Sequence, residues 1–321
     1  MFPITRMRRY RSSNSLRNLF AETSVNPKKL IMPIFVKEGL ARKEEIMGMP
    51  GVFRYPVAEV SDYAEHLESI GLSTVILFGI PLKKDSIGSS VYDEDGVVQR
   101  AIRGIKERTS LNVVADLCLC EYTDHGHCGI LRGNDVDNDA TLEVYRKTAL
   151  SYANAGVDIV APSGMMDGQV RAIRSELDNN GFDDTLILAY SSKFASNLYG
   201  PFRNAAESAP SFGDRRSYQM DYRNGREAMR EIQLDIEEGA DAVMIKPALF
   251  YLDLITKARS ATNLPIAAYM VSGEFSMIAN AIRKGDLNPD TLNEALVAPF
   301  RAGADMLITY FAEEYVQSHQ Q

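Results

Sequence analysis

Short runs of Val, Ile, Leu and Ala recur along this 321-residue chain, and most of them do not alternate with polar residues. An apolar run without alternation is what a strand buried on both faces requires. Eight runs predict strands over Leu30–Val36, Thr74–Ile80, Asn112–Cys120, Asp158–Pro162, Leu186–Ser191, Ala242–Lys246, Ile266–Val271 and Met306–Tyr310. Segments of helical period separate them, at 62–70, 98–107, 140–155, 168–177, 226–238, 252–261, 275–284 and 291–301. Four joints repeat one pattern: Ile70-Gly71-Leu72, Ala155-Gly156-Val157-Asp158, Glu238-Gly239-Ala240-Asp241 and Ala302-Gly303-Ala304-Asp305 each place Gly at a helix end just before a strand. Such units predict an α/β architecture with a parallel sheet, and eight of them fit a closed (β/α)8 TIM barrel. A doubly wound open sheet is the alternative. No Gly-x-Gly-x-x-Gly follows any of the strands and no Walker-type run is present, so a nucleotide fold gains no support.

Charge divides the chain into two parts. Residues 1–29 carry seven cationic side chains against Glu22 alone, a net +6, which leaves −14 on residues 30–321. A basic arm in front of an acidic barrel domain suits contact with a neighbouring subunit better than nucleic acid, whose phosphates the body would repel. No stretch approaches the length of an apolar membrane span. The opening MFPITRMRRYR lacks the apolar core of a secretory signal, and clustered thiols suit a reducing compartment, so a cytoplasmic protein is expected.

The whole cysteine complement, Cys118, Cys120 and Cys128, falls within CLCEYTDHGHC. An odd, tightly packed trio does not read as disulfides. Three thiolates are one short of a closed structural zinc shell, which is what a catalytic zinc with an open position needs. Buried small apolar side chains are the plainer reading. A strand reaching Cys120 would point Cys118 and Cys120 to one face. His125 and His127 flank the turn, as ligands or as groups that orient them.

Two lysines end consecutive predicted strands, Lys193 in LAYSSKFAS and Lys246 in AVMIKPALF. In a barrel the strand C-termini form the active face, and neighbouring strands lie about 4.8 Å apart. Burial and a nearby cation both lower a lysine's pKa, and a neutral amine attacks a ketone to form a Schiff base. Ser272 and Tyr310 lie at the ends of the seventh and eighth predicted strands, and Asp116 and Ser163 occupy comparable positions on earlier ones. The segment 196–224 is long for a βα loop and rich in Gly, Pro, Ser and aromatics, as an active-site lid would be. It supplies Arg203, Arg215 and Arg216, whose forks suit carboxylates.

The runs CLCEYTDHGHCGIL, YSSKFASNLYGPFR, FGDRRSYQMD, MIKPALFYLD, YMVSGEF and ITYF resemble the signature runs of the porphobilinogen synthase (5-aminolevulinate dehydratase) family, and the likeness spans essentially the whole chain. The resemblance implies a TIM barrel with an N-terminal arm that condenses two 5-aminolevulinate molecules to porphobilinogen, losing two waters, on the path to heme and other tetrapyrroles. It implies Schiff bases at Lys246 for the first-bound substrate and Lys193 for the second. Arg203, Arg215 and Gln219 would hold one carboxylate, and Ser272 and Tyr310 the other. The cysteine trio resembles that of the zinc-dependent members. The family also implies an arm-hugging homo-octamer, and in some members an allosteric Mg2+ on a glutamate matching Glu231. One departure stands out: many members have Asp after the serine of APS, where this chain has Gly164. A class I aldolase needs one barrel lysine and no thiolate metal, and a non-enzymatic zinc scaffold gives no reason for paired lysines.

Overall fold

The computed structural model describes residues 3–319; residues 1, 2, 320 and 321, the ends of the expected arm and barrel domains, lie outside the described residues. Eight parallel strands follow in chain order: β1 (Leu30–Lys37), β2 (Thr74–Ile80), β3 (Asn112–Leu117), β4 (Ile159–Pro162), β5 (Leu186–Lys193), β6 (Ala242–Lys246), β7 (Ile266–Tyr269) and β8 (Met306–Ile308). Each pairs with the next, and β1 pairs back onto β8 through Leu30↔Leu307 and Ile31↔Ile308, so the sheet closes into a barrel. The expected TIM barrel is what the chain forms. Every residue of β2 is buried, as an apolar run covered on both faces requires.

The helices are α1 (Val60–Ser69), α2 (Val97–Arg108), α3 (Asn138–Asn154), α4 (Gln169–Asn179), α5 (Gly225–Glu237), α6 (Leu252–Ala261), α7 (Ser272–Lys284), α8 (Thr291–Ala302) and α9 (Ala312–His319). α2 shows why they dock: Val97, Val98, Ala101, Ile102 and Ile105 lie on one buried face. The repeated glycines do what their spacing predicts. Gly71, Gly156, Gly239 and Gly303 have φ of 95°, 93°, 103° and 116°, a left-handed turn that side chains with a Cβ resist. The aspartates two residues after three of them have a role that sequence reading left open. Asp158, Asp241 and Asp305 each accept a hydrogen bond from an amide at the start of the preceding strand, at Val113, Ile187 and Ile266 (2.7, 2.7 and 2.8 Å). The motif therefore stops a helix and ties two strand starts together.

Three strands stop short of expectation, while β1 and β5 run on to Lys37 and Lys193 and β4 starts one residue late at Ile159. β3 stops at Leu117, β7 at Tyr269 and β8 at Ile308. Cys118 and Cys120 thus lie in a turn and not on a strand face, and Ser272 opens α7 instead of closing β7. The lid has structure of its own: a turn of 3-10 helix at Asn197–Tyr199 and a short lid helix at Gly200–Ala205. Among its described residues the arm holds a short α-helix, Asn14–Leu19, with Ser13 Oγ accepting from the amide of Leu16, and 3-10 turns at Met7–Arg11 and Pro27–Lys29. Ile4, Met7, Leu19 and Phe20 stand exposed along it. No helix among the described residues is long and apolar enough to cross a membrane.

Candidate active site

Lys193 and Lys246 are register partners on β5 and β6, so the barrel sets the two side chains next to each other. They are 5% and 4% exposed. Lys246 Nζ sits in a cage of rings, 4.1 Å from the centroid of Tyr269, 5.0 Å from Tyr190, 5.1 Å from Phe202 and 5.4 Å from Tyr199. Burial, and then the charge of Lys193, lower its pKa to about 7. Lys193 behaves differently from the sequence expectation. Burial pulls it down, but Cys128, Cys118 and Asp116 together outweigh that and hold it above the ordinary lysine value. It donates to the carbonyl of Ser163. Ser163 Oγ donates to Asp116 Oδ2 at 2.9 Å, joining two residues that sequence placed only on separate strands.

The three sulfurs face this pair. All Sγ atoms lie within 4.8 Å of one another, with Cys118 and Cys120 at 3.3 Å, and all are buried. The donor set behaves as one unit. Hydrogen bonds from Cys118 and Cys120, reinforced by Arg215, draw Cys128 well below its usual pKa. Burial pushes Cys118 up, and its two neighbours push Cys120 up. One thiolate is stable there and further negative charge is not, unless a soft divalent cation binds all three. The residues therefore fit a thiolate-bound metal. His125 and His127 do not join the cluster. His127 contacts Tyr218 Oη and the Phe212 carbonyl, both at 3.1 Å, and His125 contacts the Ser86 carbonyl at 3.2 Å. His127 staples the cysteine turn to the lid, and His125 ties it to the loop after β2.

Gly164, the departure from the family pattern, has a steric reason. A Cβ there would lie 1.7 Å from Tyr145 Oη. Tyr145 is fully buried and its hydroxyl donates to the Cys128 carbonyl at 2.9 Å. Sequence reasoning missed this tyrosine, and it also missed Tyr190 and Glu121. Glu121 accepts from Cys120 Sγ at 3.2 Å, and burial raises its pKa to about 7. Its adjacency to Cys120 was the one available signal.

The lid residues divide. Arg215 and Gln219 are buried and Arg203 is half-buried. Arg203 Nε, Arg215 Nε and both amide atoms of Gln219 are buried without a hydrogen-bond partner. Burial, and then the charge of Arg215, lower the pKa of Arg203. Two such guanidiniums beside an unsatisfied amide suit a carboxylate. Arg216 does not belong here; it is exposed and pairs with Asp214 at 3.5 Å. Ser272 and Tyr310 are occupied within the protein. Ser272 Oγ accepts from the amide of Phe202 at 2.9 Å and donates to the Leu198 carbonyl at 3.3 Å, while Tyr310 Oη meets Tyr269 Oη at 3.1 Å. Around the lysines, with Asp116, Cys120, Tyr199, Phe202 and Arg215, only about 10 Å3 remains open, roughly the space of one water.

A family model described as delta-aminolevulinic acid dehydratase matches residues 4–318. The delta-aminolevulinic acid dehydratase of Methanothermus sociabilis is 54% identical over 316 residues, covering 98% of this chain and 99% of that one. The protein of the same name from Synechococcus elongatus is 49% identical over 320 residues, with 98% of each covered. The Toxoplasma gondii delta-aminolevulinic acid dehydratase (porphobilinogen synthase), solved in complex with its product porphobilinogen, shares the fold with a TM-score of 0.96 at 40% identity, covering 99% of this chain and 92% of that one. The chain belongs to the delta-aminolevulinic acid dehydratase family. As a dehydratase of this kind it is a lyase of tetrapyrrole biosynthesis, a porphobilinogen synthase.

Two outcomes follow from the dehydratase site. Only a neutral amine attacks a ketone, so borohydride trapping of substrate at Lys246 should rise with pH through about 7 and fall about tenfold per unit below it. Mass spectrometry of the trapped peptide between pH 5.5 and 8.5 reads this, and a flat profile would contradict the lowered pKa. Gly164→Ala should cost about 1–3 kcal/mol of stability by overpacking against Tyr145. Urea denaturation measures it, and adding Tyr145→Phe should recover part of the loss.

Proposed function

We propose that Lys246 and Lys193 activate the two ketones in the condensation of two 5-aminolevulinate molecules to porphobilinogen, with Lys246 holding the first-bound substrate. The observation that carries this is the paired register of two buried lysines, one of them with a pKa near neutrality. Each lysine attacks a ketone carbon as its neutral amine and expels the oxygen as water, which accounts for the two waters lost; Lys193, which the sulfurs and Asp116 hold protonated, does so only after yielding that proton. Forming the carbon–carbon and carbon–nitrogen bonds of the pyrrole displaces both lysines as free amines. Carbon deprotonation needs a base and no redox cofactor. Arg203, Arg215 and Gln219 would bind one substrate carboxylate, and their unpartnered buried atoms support it. Ser272 and Tyr310 are proposed for the other carboxylate. Both are held by protein partners here, so the lid must move for Ser272 to turn to substrate. With about 10 Å3 open at the lysines, entry of two substrates needs that motion as well.

Cys118, Cys120 and Cys128 would hold Zn2+, which supplies a Lewis acid for the amine and carbonyl of the second substrate. Glu231 is proposed to take an allosteric Mg2+. It is half-buried on α5, and burial followed by Asp167 and Glu227 raises its pKa, so a cation there relieves real repulsion. A cytoplasmic location is proposed on the reduced thiols alone.

The assembly is proposed to be a homo-octamer joined by the arms. The arm couples basic charge to exposed Ile4, Met7, Leu19 and Phe20, an unusual load of apolar surface for a free terminus. A groove of about 1430 Å3, lined by Glu44, Glu59, Asp62, Glu313 and Glu314 but also by Arg42, Lys43 and Arg283, is proposed as its receptor. Two experiments test these readings. The protein incubated with 5-aminolevulinate should yield a pyrrole; Lys246→Ala should abolish it, and chelation should remove it until zinc is returned. A Lys246→Ala variant with full turnover would sink the assignment. Deleting residues 1–25 should give a smaller particle by light scattering, and an unchanged particle would free the arm of any role in assembly.

A further inference from the structure

The lid helix Gly200–Ala205 carries Arg203 and is six residues long, too short to hold its shape alone. Its C-terminal end presents carbonyls with no partner inside the helix and the negative end of the helix dipole. A strand outside the eight barrel strands answers both needs. Phe53–Pro56 pairs in parallel with β1, placing Arg54 opposite Phe35. Arg54 is 9% exposed. Its Nε donates to the Ala205 carbonyl at 2.7 Å and its Nη2 to the Asn204 carbonyl, while Nη1 lies 3.3 Å from Glu44.

The next residues are held in the same way. Glu207 adopts φ 50°, a left-handed conformation costly for a residue with a Cβ. Its carboxylate is bound by Lys37 at the end of β1, and its carbonyl by Lys84 Nζ at 2.6 Å. The Ser208 carbonyl then accepts from Nη2 of Arg215. Four cations thus converge on one five-residue strip, with Arg203 just before it and Arg215 gripping its far end. Of the three that come from the barrel side, Arg54 alone is buried and two-pronged, so it fixes direction as well as distance.

We propose that Arg54 is a positioning residue for substrate-carboxylate binding: it anchors the C-terminal end of the lid helix to the barrel and so sets where Arg203 points. This deepens the proposed role of Arg203 and rests on it. Arg54 touches neither the lysines nor the cysteines, so its loss weakens substrate binding and leaves the chemistry in place.

The test uses the full-length, zinc-loaded protein with Arg54→Met and Arg54→Lys. Arg54→Met should raise KM for 5-aminolevulinate about tenfold while kcat stays within about twofold, and Arg54→Lys, with charge but no fork, should fall between. In an Arg203→Met background, Arg54→Met should add little further. Trypsin, in the absence of substrate, should cleave faster after the exposed Arg216 in Arg54→Met than in wild type, a readout independent of any activity. An unchanged KM, a KM effect that is fully additive with Arg203→Met, or unchanged cleavage would each overturn the proposal. If Arg54→Met does not fold, the KM split and the cleavage rate of Arg54→Lys decide it. A wild-type protein that made no pyrrole would instead count against the proposed function, and the cleavage comparison would still judge the anchor.

Discussion

Two lysine side chains buried at neighbouring register positions are the constraint around which the site is arranged. A pair of desolvated cations is unfavourable by itself, because burial penalises each charge and each repels the other. The surroundings resolve the conflict asymmetrically. Lys246 receives aromatic faces and loses its proton near neutrality. Lys193 receives Asp116 and the sulfur cluster and keeps its proton. One fold therefore offers a near-neutral amine and a charged neighbour at paired register positions, from two residues of the same type.

The cysteine turn is the counterweight, and its shape is set from behind. Tyr145 reaches from α3 to the Cys128 carbonyl, and Gly164 leaves the room that its hydroxyl needs. From the front, His127 and Arg215 bind lid and turn together, with Arg215 donating to the Gly126 carbonyl at 2.9 Å. The cysteine cluster, Arg215 and the lid are thus mechanically one unit. A change in any of them reaches the others through short hydrogen bonds as well as through charge.

The lid closes this unit from above. Ser272 holds Phe202 and Leu198 down, and Phe202 in turn covers Lys246. The same serine that the family resemblance assigns to substrate is spent on the lid here, so under the proposed role substrate would compete with the lid for one hydroxyl. Such exchange of a protein contact for a substrate contact couples binding to lid movement without a separate hinge mechanism.

Much of this was legible in the chain itself. Unalternating apolar runs and Gly stops specify buried parallel strands, because both are local demands of backbone and burial, and the lysines and cysteines declared themselves by type and spacing. The long motif runs carried the family. The errors came where local pattern stops: the chain leaves β3 at Leu117 because the cysteine turn closes on itself, with the Tyr122 and Thr123 amides bonding back to the Leu119 carbonyl. Only the closed barrel decided the pairing of Lys193 with Lys246, the opposite pKa shifts of two identical side chains, the need for glycine at position 164 and the anchoring of the lid by Arg54, 151 residues away from Ala205. Each of these depends on which distant residues are brought into contact. Composition and period report the face a residue buries, but the partner it meets there is set by topology.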